Sequence, residues 1–239
     1  MAQSMGMKIP FSLLKKRSDC HPSKRKDEIA RFGNPEFQIQ VCILLELISV
    51  NYTVKILQDN NLALAIVRGV AMYQSSKSDT GEWVLTADQW EGLSGLKRHR
   101  LDGAKKLLMD NGELQGDIRD FPPTSYYQYF YPQEDLEVQS EFQYYHELAH
   151  LLGHDATALF GWLLELDKQS EAQGYFFHLK MADIQQSLGL SRYQVDQARK
   201  KLIEHDLLKE RFWGIPAVRE FRLRLDGLEQ LVAEKGALE

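Results

Sequence analysis

The stretch that decides the fold is "HLKMADIQQSLGLSRYQVDQARKKLIEHDLL", from His178 to Leu208, because the chain contains its plan twice. The other copy, "LTADQWEGLSGLKRHRLDGAKKLLMDNGEL", lies 94 residues upstream, from Leu85 to Leu114. Downstream of the two copies, "FPPTSYYQYF" corresponds to "GIPAVREFRL" with a shift of one residue. Self-similarity at a fixed offset indicates that one structural unit is used twice.

The second copy predicts a helix, a tight turn and a longer helix. Ile184 and Leu188 anchor the short helix, and Gly189 supplies the turn. Ser191 stands where a side-chain oxygen would cap the next helix. Along that helix the apolar positions recur at helical spacing, at Val195, Ala198 and Leu202. The opposite face is long and polar, and its members are Tyr193, Gln197, Lys200, Lys201 and Glu204.

A hairpin should follow this helix. Residues 207–212 and 218–225 can pair around "WGIPA", with Arg222 and Arg224 on one face and apolar residues on the other. Helix, turn, helix and hairpin in this order are typical of a winged helix. The sequence therefore predicts a mainly α protein with small β-hairpin wings, built from two winged-helix (helix-turn-helix) domains in tandem.

The predicted domain boundaries follow from the repeat and from composition. They are a basic N-terminal arm at 1–34, a first winged-helix domain at 35–131, an acidic and partly helical linker at 132–147, a second winged-helix domain at 148–226 and a tail at 227–239. Periodicity does not separate helix from strand over the apolar segment 37–57. Its core, 41–50, is a candidate surface for a second subunit.

Composition indicates a globular protein of a reducing cytoplasm. The chain has 239 residues, 26% of them charged, and only two cysteines, too few for a disulfide framework or a Cys-rich zinc site. The longest apolar run, 41–50, is far shorter than the roughly 20 residues of a membrane-spanning helix. We therefore expect no membrane anchor and no secretory signal.

The net charge of −5 conceals a basic second copy. Residues 176–225 contain ten Lys and Arg but six Asp and Glu. Counter-ion release depends on the face that meets phosphate and not on the total charge, so DNA binding is compatible with an acidic protein. A charged, solvated helix face is the plain alternative, and the order of elements favours DNA.

One motif indicates a different function. The sequence "HELAH" at 146–150 fits H-E-x-x-H, in which two histidines, here His146 and His150, bind zinc in metallopeptidases. The third ligand of the metzincin pattern is missing, because position 156 is Ala156, although Glu165 or Glu171 could replace it. At the 94-residue offset the motif corresponds to 52–56, which predicts an ordinary helix leading into each copy. We therefore predict no bound metal and keep zinc peptidase as an alternative.

Other catalytic motifs are missing from the sequence. It contains no phosphate-binding P-loop, no dinucleotide-binding glycine motif and no nucleophile elbow. The aromatic segment "FPPTSYYQYFY" at 121–131 could stack on bases, but its repeat partner is the second hairpin, which favours packing within a hairpin. We therefore predict that the protein is not an enzyme and needs no cofactor.

The stretch "GYFFHLKMADIQQSLGLSRYQVDQARKKLIEHDLL" with "GIPAVREFRL" resembles the winged-helix modules of plasmid, phage and integrative-element proteins, especially replication initiators and replication-linked regulators. The resemblance implies that the second helix of each helix-turn-helix enters the major groove of double-stranded DNA, with the wing along the backbone. It also implies that one module dimerises while the other reads sequence. A helicase and a polymerase would come from the host.

The two copies differ in a way that fits this division. Gly103 and Leu107 stand in the first copy where Gln197 and Lys201 stand in the second. We therefore expect a homodimer that associates through its N-terminal half, although a shifted helix could bury Leu107. The predicted DNA contacts of the second copy are Arg192, Tyr193, Gln194, Gln197, Lys200, Lys201, Arg211, Arg222 and Arg224. Those of the first copy are Lys97, Arg98, His99 and Lys106. A protein scaffold built on winged helices remains a further alternative.

Overall fold

A computed structural model of the protein describes residues 51–57, 61–130, 137–169, 176–215, 217–224 and 227–228. Its first half contains β1 (Asn51–Leu57), α1 (Leu62–Lys77), β2 (Glu82–Val84), α2 (Ala87–Ser94), α3 (Arg98–Asp110), β3 (Leu114–Arg119) and β4 (Thr124–Tyr129). Its second half contains β5 (Val138–Tyr145), α4 (His146–Leu152), α5 (His154–Gln169), β6 (Phe177–His178), α6 (Met181–Leu188), α7 (Arg192–Glu204), β7 (Leu208–Trp213) and β8 (Val218–Leu223). The predicted basic arm, segment 41–50 and most of the tail lie outside the described residues.

Two units of the same topology account for most of this order. The first unit, residues 62–129, and the second unit, residues 154–223, each run helix, strand, helix, helix, strand, strand. Each unit closes a three-stranded antiparallel sheet, in the order β2-β4-β3 in the first and β6-β8-β7 in the second. The third described sheet pairs β1 with β5 and joins the two halves.

The prediction of a mainly α protein with small hairpin wings is wrong. Helices make up 52% and strands 28% of the described residues, so the protein is mixed α/β with three small antiparallel sheets. Each hairpin gains a third strand, and the predicted helical linker forms β5 over its described residues 138–145. The alternation that makes β5 a strand is visible in its burial, since Ser140, Phe142 and Tyr144 point inwards.

The β1–β5 ribbon supports both units. Thr53 and Gln143 are paired across it, and the Gln143 side-chain amide donates to the Thr53 hydroxyl at 3.0 Å. Helix α1 approaches β1 at Gly69, where an added Cβ would lie 2.8 Å from the Tyr52 ring. Helix α5 approaches β5 at Gly161, where an added Cβ would lie 2.2 Å from the Gln143 carbonyl oxygen. Helices α1 and α5 therefore each pack against the ribbon at a glycine.

Side chains of the ribbon also hold the short helices. The Tyr52 hydroxyl donates to the Leu93 carbonyl and the Tyr144 hydroxyl to the Ser94 carbonyl, at the end of α2. Burial raises the pKa of both tyrosines well above the usual value, so both remain donors. Ser140 donates to the last turn of α6 in the same way. The ribbon thus holds the ends of α2 and α6, just before the turns into α3 and α7.

The local predictions for the second unit are confirmed. The Ser191 hydroxyl accepts from the Gln194 amide in a capping box, and Gly189 ends α6 with a left-handed φ of 61°. The predicted stripe Val195, Ala198 and Leu202 is buried, and the hairpin forms as β7 and β8. Among the described residues, no helix combines the length and apolar character needed to span a bilayer.

Candidate nucleic-acid interface

The outer face of α7 is exposed and open. Arg192, Tyr193, Gln197, Lys200 and Lys201 are all exposed, Tyr193 to 72% of its full area. None of these five side chains makes a hydrogen bond or an ion pair with another described residue. The helix is capped at its start and buried along one face, and its other face presents cations, an amide and an aromatic ring to solvent. The sequence predicts such a surface for contact with a ligand.

A groove of about 360 Å³ runs beside this face. Gln197, Lys200 and Lys201 line one side, and the first turn of α5 lines the other. The Lys201 ammonium group lies next to Gly153, the residue before α5. Asp155 and Glu204 also line this groove, so the lysines of α7 lie beside two carboxylates there.

Gln194 differs from the other predicted contacts, because its side chain is already used. Its Oε1 accepts from the Ser191 amide at 3.0 Å, which completes the capping box. Its Nε2 donates to Asp155 on α5 at 3.3 Å. Gln194 therefore orients the start of α7, and a base contact by its amide stays a prediction that would require both bonds to break.

The predicted contacts on the second hairpin also have partners within the chain. Arg211 pairs with Glu220 at 2.8 Å and stacks 3.8 Å from the Phe176 ring centroid. Arg224 pairs with Asp206 at 2.8 Å, and Arg222 is half-buried with its guanidinium 6.0 Å from the Phe176 ring centroid. Their guanidinium groups lie near the surface, but these arginines would contact phosphate while still held by their partners within the chain.

A buried ionic chain joins the second hairpin to α7. Arg199 of α7 bonds both Asp196 and Glu210, and Glu210 also pairs with Arg219 of the opposite strand. The side chains of Arg199 and Glu210 are exposed to only 10% and 12%. Because a buried charge is costly without its partner, this chain fixes the hairpin relative to the helix.

The first unit uses most of its helix cations internally. Arg98 lies 3.6 Å from both Glu91 and Asp102. Lys105 donates to the Tyr127 hydroxyl at 2.8 Å and lies over the Trp90 and Tyr127 rings. Lys97, His99 and Lys106 are exposed. These three are the predicted first-copy contacts that remain open to solvent without a described partner.

The outer face of α3 carries an apolar residue among polar ones. Leu107 is 44% exposed, so it is not buried by a shifted helix, whereas Met109 lies on a flank of the helix against Gly116 of β3. Gly103 is exposed, and a Cβ at that position would meet nothing within 4 Å. The first unit thus presents Gly103 and Leu107 at the positions where the second presents Gln197 and Lys201.

A polar cluster lies between α3 and α7. Arg100 of α3 contacts His154, and His154 lies 3.0 Å from Asp155, the same carboxylate that receives Gln194 of α7. Burial alone would raise the pKa of Asp155, but contacts from His154 and Arg100 outweigh burial and hold that pKa below its ordinary value. The ionised carboxylate therefore links the two helix-turn-helix units.

The H-E-x-x-H motif has a structural role. His146 and His150 lie on α4 with ring centroids 6.5 Å apart, and the described residues contain no group of three His, Cys, Asp or Glu able to hold a metal. The His150 Nε2 lies 3.0 Å from the Gly92 carbonyl oxygen, and Ala149 packs against Gly95. The predicted match of this helix to 52–56 is wrong, because those residues form β1.

The sequence did not indicate the exposed tip of the second hairpin or the ionic chain beneath it. Phe212, Trp213 and Ile215 are 62%, 52% and 98% exposed, although alternation alone would place some of them inwards. The "WGIP" turn was the one available signal, since a tryptophan and an isoleucine there cannot reach the core.

Neither the comparison with protein-family models nor that with curated proteins finds a match for this chain.

Proposed function

We propose that the protein binds double-stranded DNA sequence-specifically through its second unit, with α7 in the major groove. The observation that carries the proposal is the open outer face of α7, where Arg192, Gln197 and Lys200 are exposed and have no partner among the described residues. A capping box and a buried stripe hold this helix, so its backbone needs no further ordering when the outer side chains bind.

The chemistry of that face suits direct readout. The Gln197 amide can pair with N6 and N7 of adenine, and the Arg192 guanidinium with O6 and N7 of guanine. Lys200 and Lys201 supply cations for phosphate, which position the protein without reading sequence. Tyr193, at the exposed start of the helix, adds an aromatic edge.

The first unit is proposed as a protein-contacting module. Leu107 is exposed on the outer face of α3, and the two arginines of that helix are engaged within the chain. A homodimer through this half is the simplest arrangement. Sedimentation at micromolar concentration, with and without duplex, should show a dimer in at least one condition. A monomer in both would remove the basis for this module and favour a scaffold with other partners.

The process proposed for this binding is initiation of replication, or regulation of transcription, of a mobile element. It follows from the resemblance of the second copy to such modules and includes a cytoplasmic location. Host replication proteins would supply the helicase and polymerase. No catalytic step and no cofactor enters this proposal.

Fluorescence anisotropy with a random-sequence duplex at low salt tests DNA binding directly. We expect binding that weakens steeply as salt increases, because phosphate contacts release counter-ions. Selection from a random duplex pool should then enrich one motif. Repeated direct sites would favour an initiator, and a palindrome would favour a repressor. If no duplex is bound at low salt, the protein is a scaffold and this proposal is wrong.

A further inference from the structure

A cavity of about 340 Å³ lies in the first unit, between the start of α2, one face of α3 and the start of β4. This volume is at the lower end of the range for small-molecule sites in proteins. Aliphatic side chains from the end of β2 and from α3 contribute to its walls, and charged and hydroxyl-bearing side chains complete the lining. The residues that decide its chemistry are Ala87, Leu101, Asp102, Lys105, Ser125 and Tyr127.

Two long side chains occupy the equivalent place in the second unit. The helices and strands of the two units align at the 94-residue offset, which puts Met181 where the first unit has Ala87. The same offset puts Arg219 where the first unit has Ser125. The guanidinium Nη1 of Arg219 lies 3.5 Å from the Met181 sulfur, so these two side chains meet. An alanine and a serine at the same two positions leave the cavity of the first unit open.

Both units keep a helix cation over an aromatic ring of the sheet. The Lys105 ammonium group lies 4.6 Å from the centroid of the Tyr127 ring. At the equivalent positions, the Arg199 guanidinium lies 6.0 Å from the centroid of the Phe221 ring. Lys105 is half-buried and lines the cavity. The first unit therefore retains the cation although the side chains around it have changed.

The carboxylate that balances this cation is missing from the first unit. In the second unit the cation pairs with Glu210, whose counterpart in the first unit is Gly116. Asp102 lies 3.6 Å from Arg98. No described carboxylate lies within ion-pair distance of Lys105, which donates instead to a neutral tyrosine hydroxyl at 2.8 Å. The cavity therefore contains a half-buried positive charge without a counter-charge.

These features define the ligand that the cavity suits. One uncompensated cation favours one negative charge, and a carboxylate would take the role that the Glu210 carboxylate has in the second unit. A phosphate dianion suits the cavity less well, because its second charge would lie near Asp102 on the same lining. The aliphatic part of the lining favours an apolar body on the ligand.

We propose that the first unit binds a small organic carboxylate with an apolar body. The carboxylate pairs with Lys105, and the body lies against the aliphatic side chains that include Leu101. The cavity lies in the unit that does not contain α7, so this inference does not rest on the proposed binding of DNA. It assigns the first unit a ligand of its own.

Benzoate is a suitable probe, and benzamide is its neutral isostere. Binding can be followed through the four indole N–H signals in a heteronuclear NMR spectrum of the full chain. Trp90 lies 5.1 Å from the Lys105 ammonium group, whereas Trp162 and Trp213 belong to the second unit. We expect benzoate to shift the Trp90 signal saturably, with a Kd of roughly 0.1–10 mM, and to leave the two second-unit signals in place. Benzamide should bind at least about tenfold more weakly, because it lacks the charge.

Three variants locate the site. Lys105→Gln removes the cation and should raise the Kd for benzoate at least about tenfold. Ala87→Met introduces the side chain of the second unit into the cavity and should weaken binding while Lys105 stays in place. Lys77→Gln is the matched control, because Lys77 also lies over an aromatic ring of the first unit, 4.3 Å from the Tyr73 centroid, but does not line the cavity. It should bind benzoate like the wild type. Thermal unfolding of each variant checks that it is folded.

The results that would overturn the proposal are distinct from those that concern DNA. Absence of a saturable Trp90 shift, equal binding of benzamide, or wild-type affinity in a folded Lys105→Gln variant would each show that the cavity is not a carboxylate site. If duplex DNA displaces benzoate and Lys105→Gln flattens the salt dependence of duplex binding, Lys105 is a phosphate contact and the proposal is wrong. Failure of the protein to bind any duplex would overturn the proposed function and leave the carboxylate site standing.

Discussion

The long helices α3 and α7 have the same length and the same balance of charge, yet their surfaces differ. Each has 13 residues, with four Lys or Arg and two Asp or Glu. In α3 the cations Arg98, Arg100 and Lys105 contact partners within the chain. In α7 only Arg199 is buried in this way, so most of its charge faces solvent. Contacts within the chain, and not net charge, therefore distinguish the surfaces of the two helices.

The largest expected effect is on stability and belongs to the first unit. Arg68 of α1 holds Glu113 through two hydrogen bonds of 2.7 and 2.9 Å, and both side chains are buried. Arg68→Ala should lower the free energy of unfolding by about 3–5 kcal/mol, because it leaves a buried carboxylate without its cation. Urea unfolding measures the change.

The second unit provides the control for that pair. Aligning Gly69 with Gly161, the glycines that contact the ribbon, places Phe160 at the position of Arg68, and the 94-residue offset places Leu207 at that of Glu113; both are buried. The double change Arg68→Phe with Glu113→Leu copies them and should cost less than Arg68→Ala alone, since apolar replacement of a buried ion pair is often close to neutral. A cost below about 1 kcal/mol for Arg68→Ala would contradict the importance assigned to the pair.

The next effect compares the two contacts of the ribbon. Gly161→Ala places a Cβ 2.2 Å from the Gln143 carbonyl oxygen, whereas Gly69→Ala places it less closely, 2.8 Å from the Tyr52 ring and 3.0 Å from the Thr53 carbonyl oxygen. We expect Gly161→Ala to cost about 1–3 kcal/mol and Gly69→Ala to cost less. Gly103→Ala, with open space around it, should be neutral or stabilise by up to about 1 kcal/mol. If all three variants have the same unfolding temperature, the ribbon does not constrain α1 and α5.

A smaller effect separates the units by salt dependence. Lys200→Ala should weaken binding to all duplexes alike and flatten the slope of log K against log salt by about one unit, because it removes a phosphate contact. Lys106→Ala is the matched change in the first unit and should leave the slope unchanged. Equal slopes for the two variants would mean that both units meet phosphate.

The smallest effect concerns the H-E-x-x-H helix. His150→Ala removes one contact with the Gly92 carbonyl and should cost about 0.5–1.5 kcal/mol. Metal analysis should find no stoichiometric zinc in either the wild-type protein or the variant. One zinc per chain that disappears in His150→Ala would instead support the metallopeptidase alternative.

Local features were predictable from the sequence. The cap at Ser191, the turn at Gly189 and the buried stripe through Val195 depend on residues within one or two helical turns, and all three are found. The repeat further indicated that the two halves share one plan. Alignment of the two copies also identified Gln197 and Leu107 as residues on the exposed faces of their helices.

Features that depend on distant partners were not predictable. The strand at 138–145 forms because it pairs with β1, nearly 90 residues earlier, and its acidic composition favoured a helical linker instead. The contacts of Arg98 with Glu91 and of Gln194 with Asp155 likewise depend on how helices pack. The ionic chain through Arg199 requires the register of the hairpin, which a single sequence does not specify. Sequence therefore identified the candidate residues, and packing decided which remain open.

Site preference measured for matched substitutions in the two units tests the central claim most directly. Binding of Gln197→Ala is compared with that of His99→Ala and Lys106→Ala on the preferred duplex and on every single-base variant of it. We expect Gln197→Ala to weaken the preferred duplex by about 1–3 kcal/mol and to relax one position of the site, as loss of a bidentate base contact does. The two first-unit variants should keep the wild-type preference. Loss of specific binding in those variants, with Gln197→Ala unaffected, would show that the first unit reads the sequence.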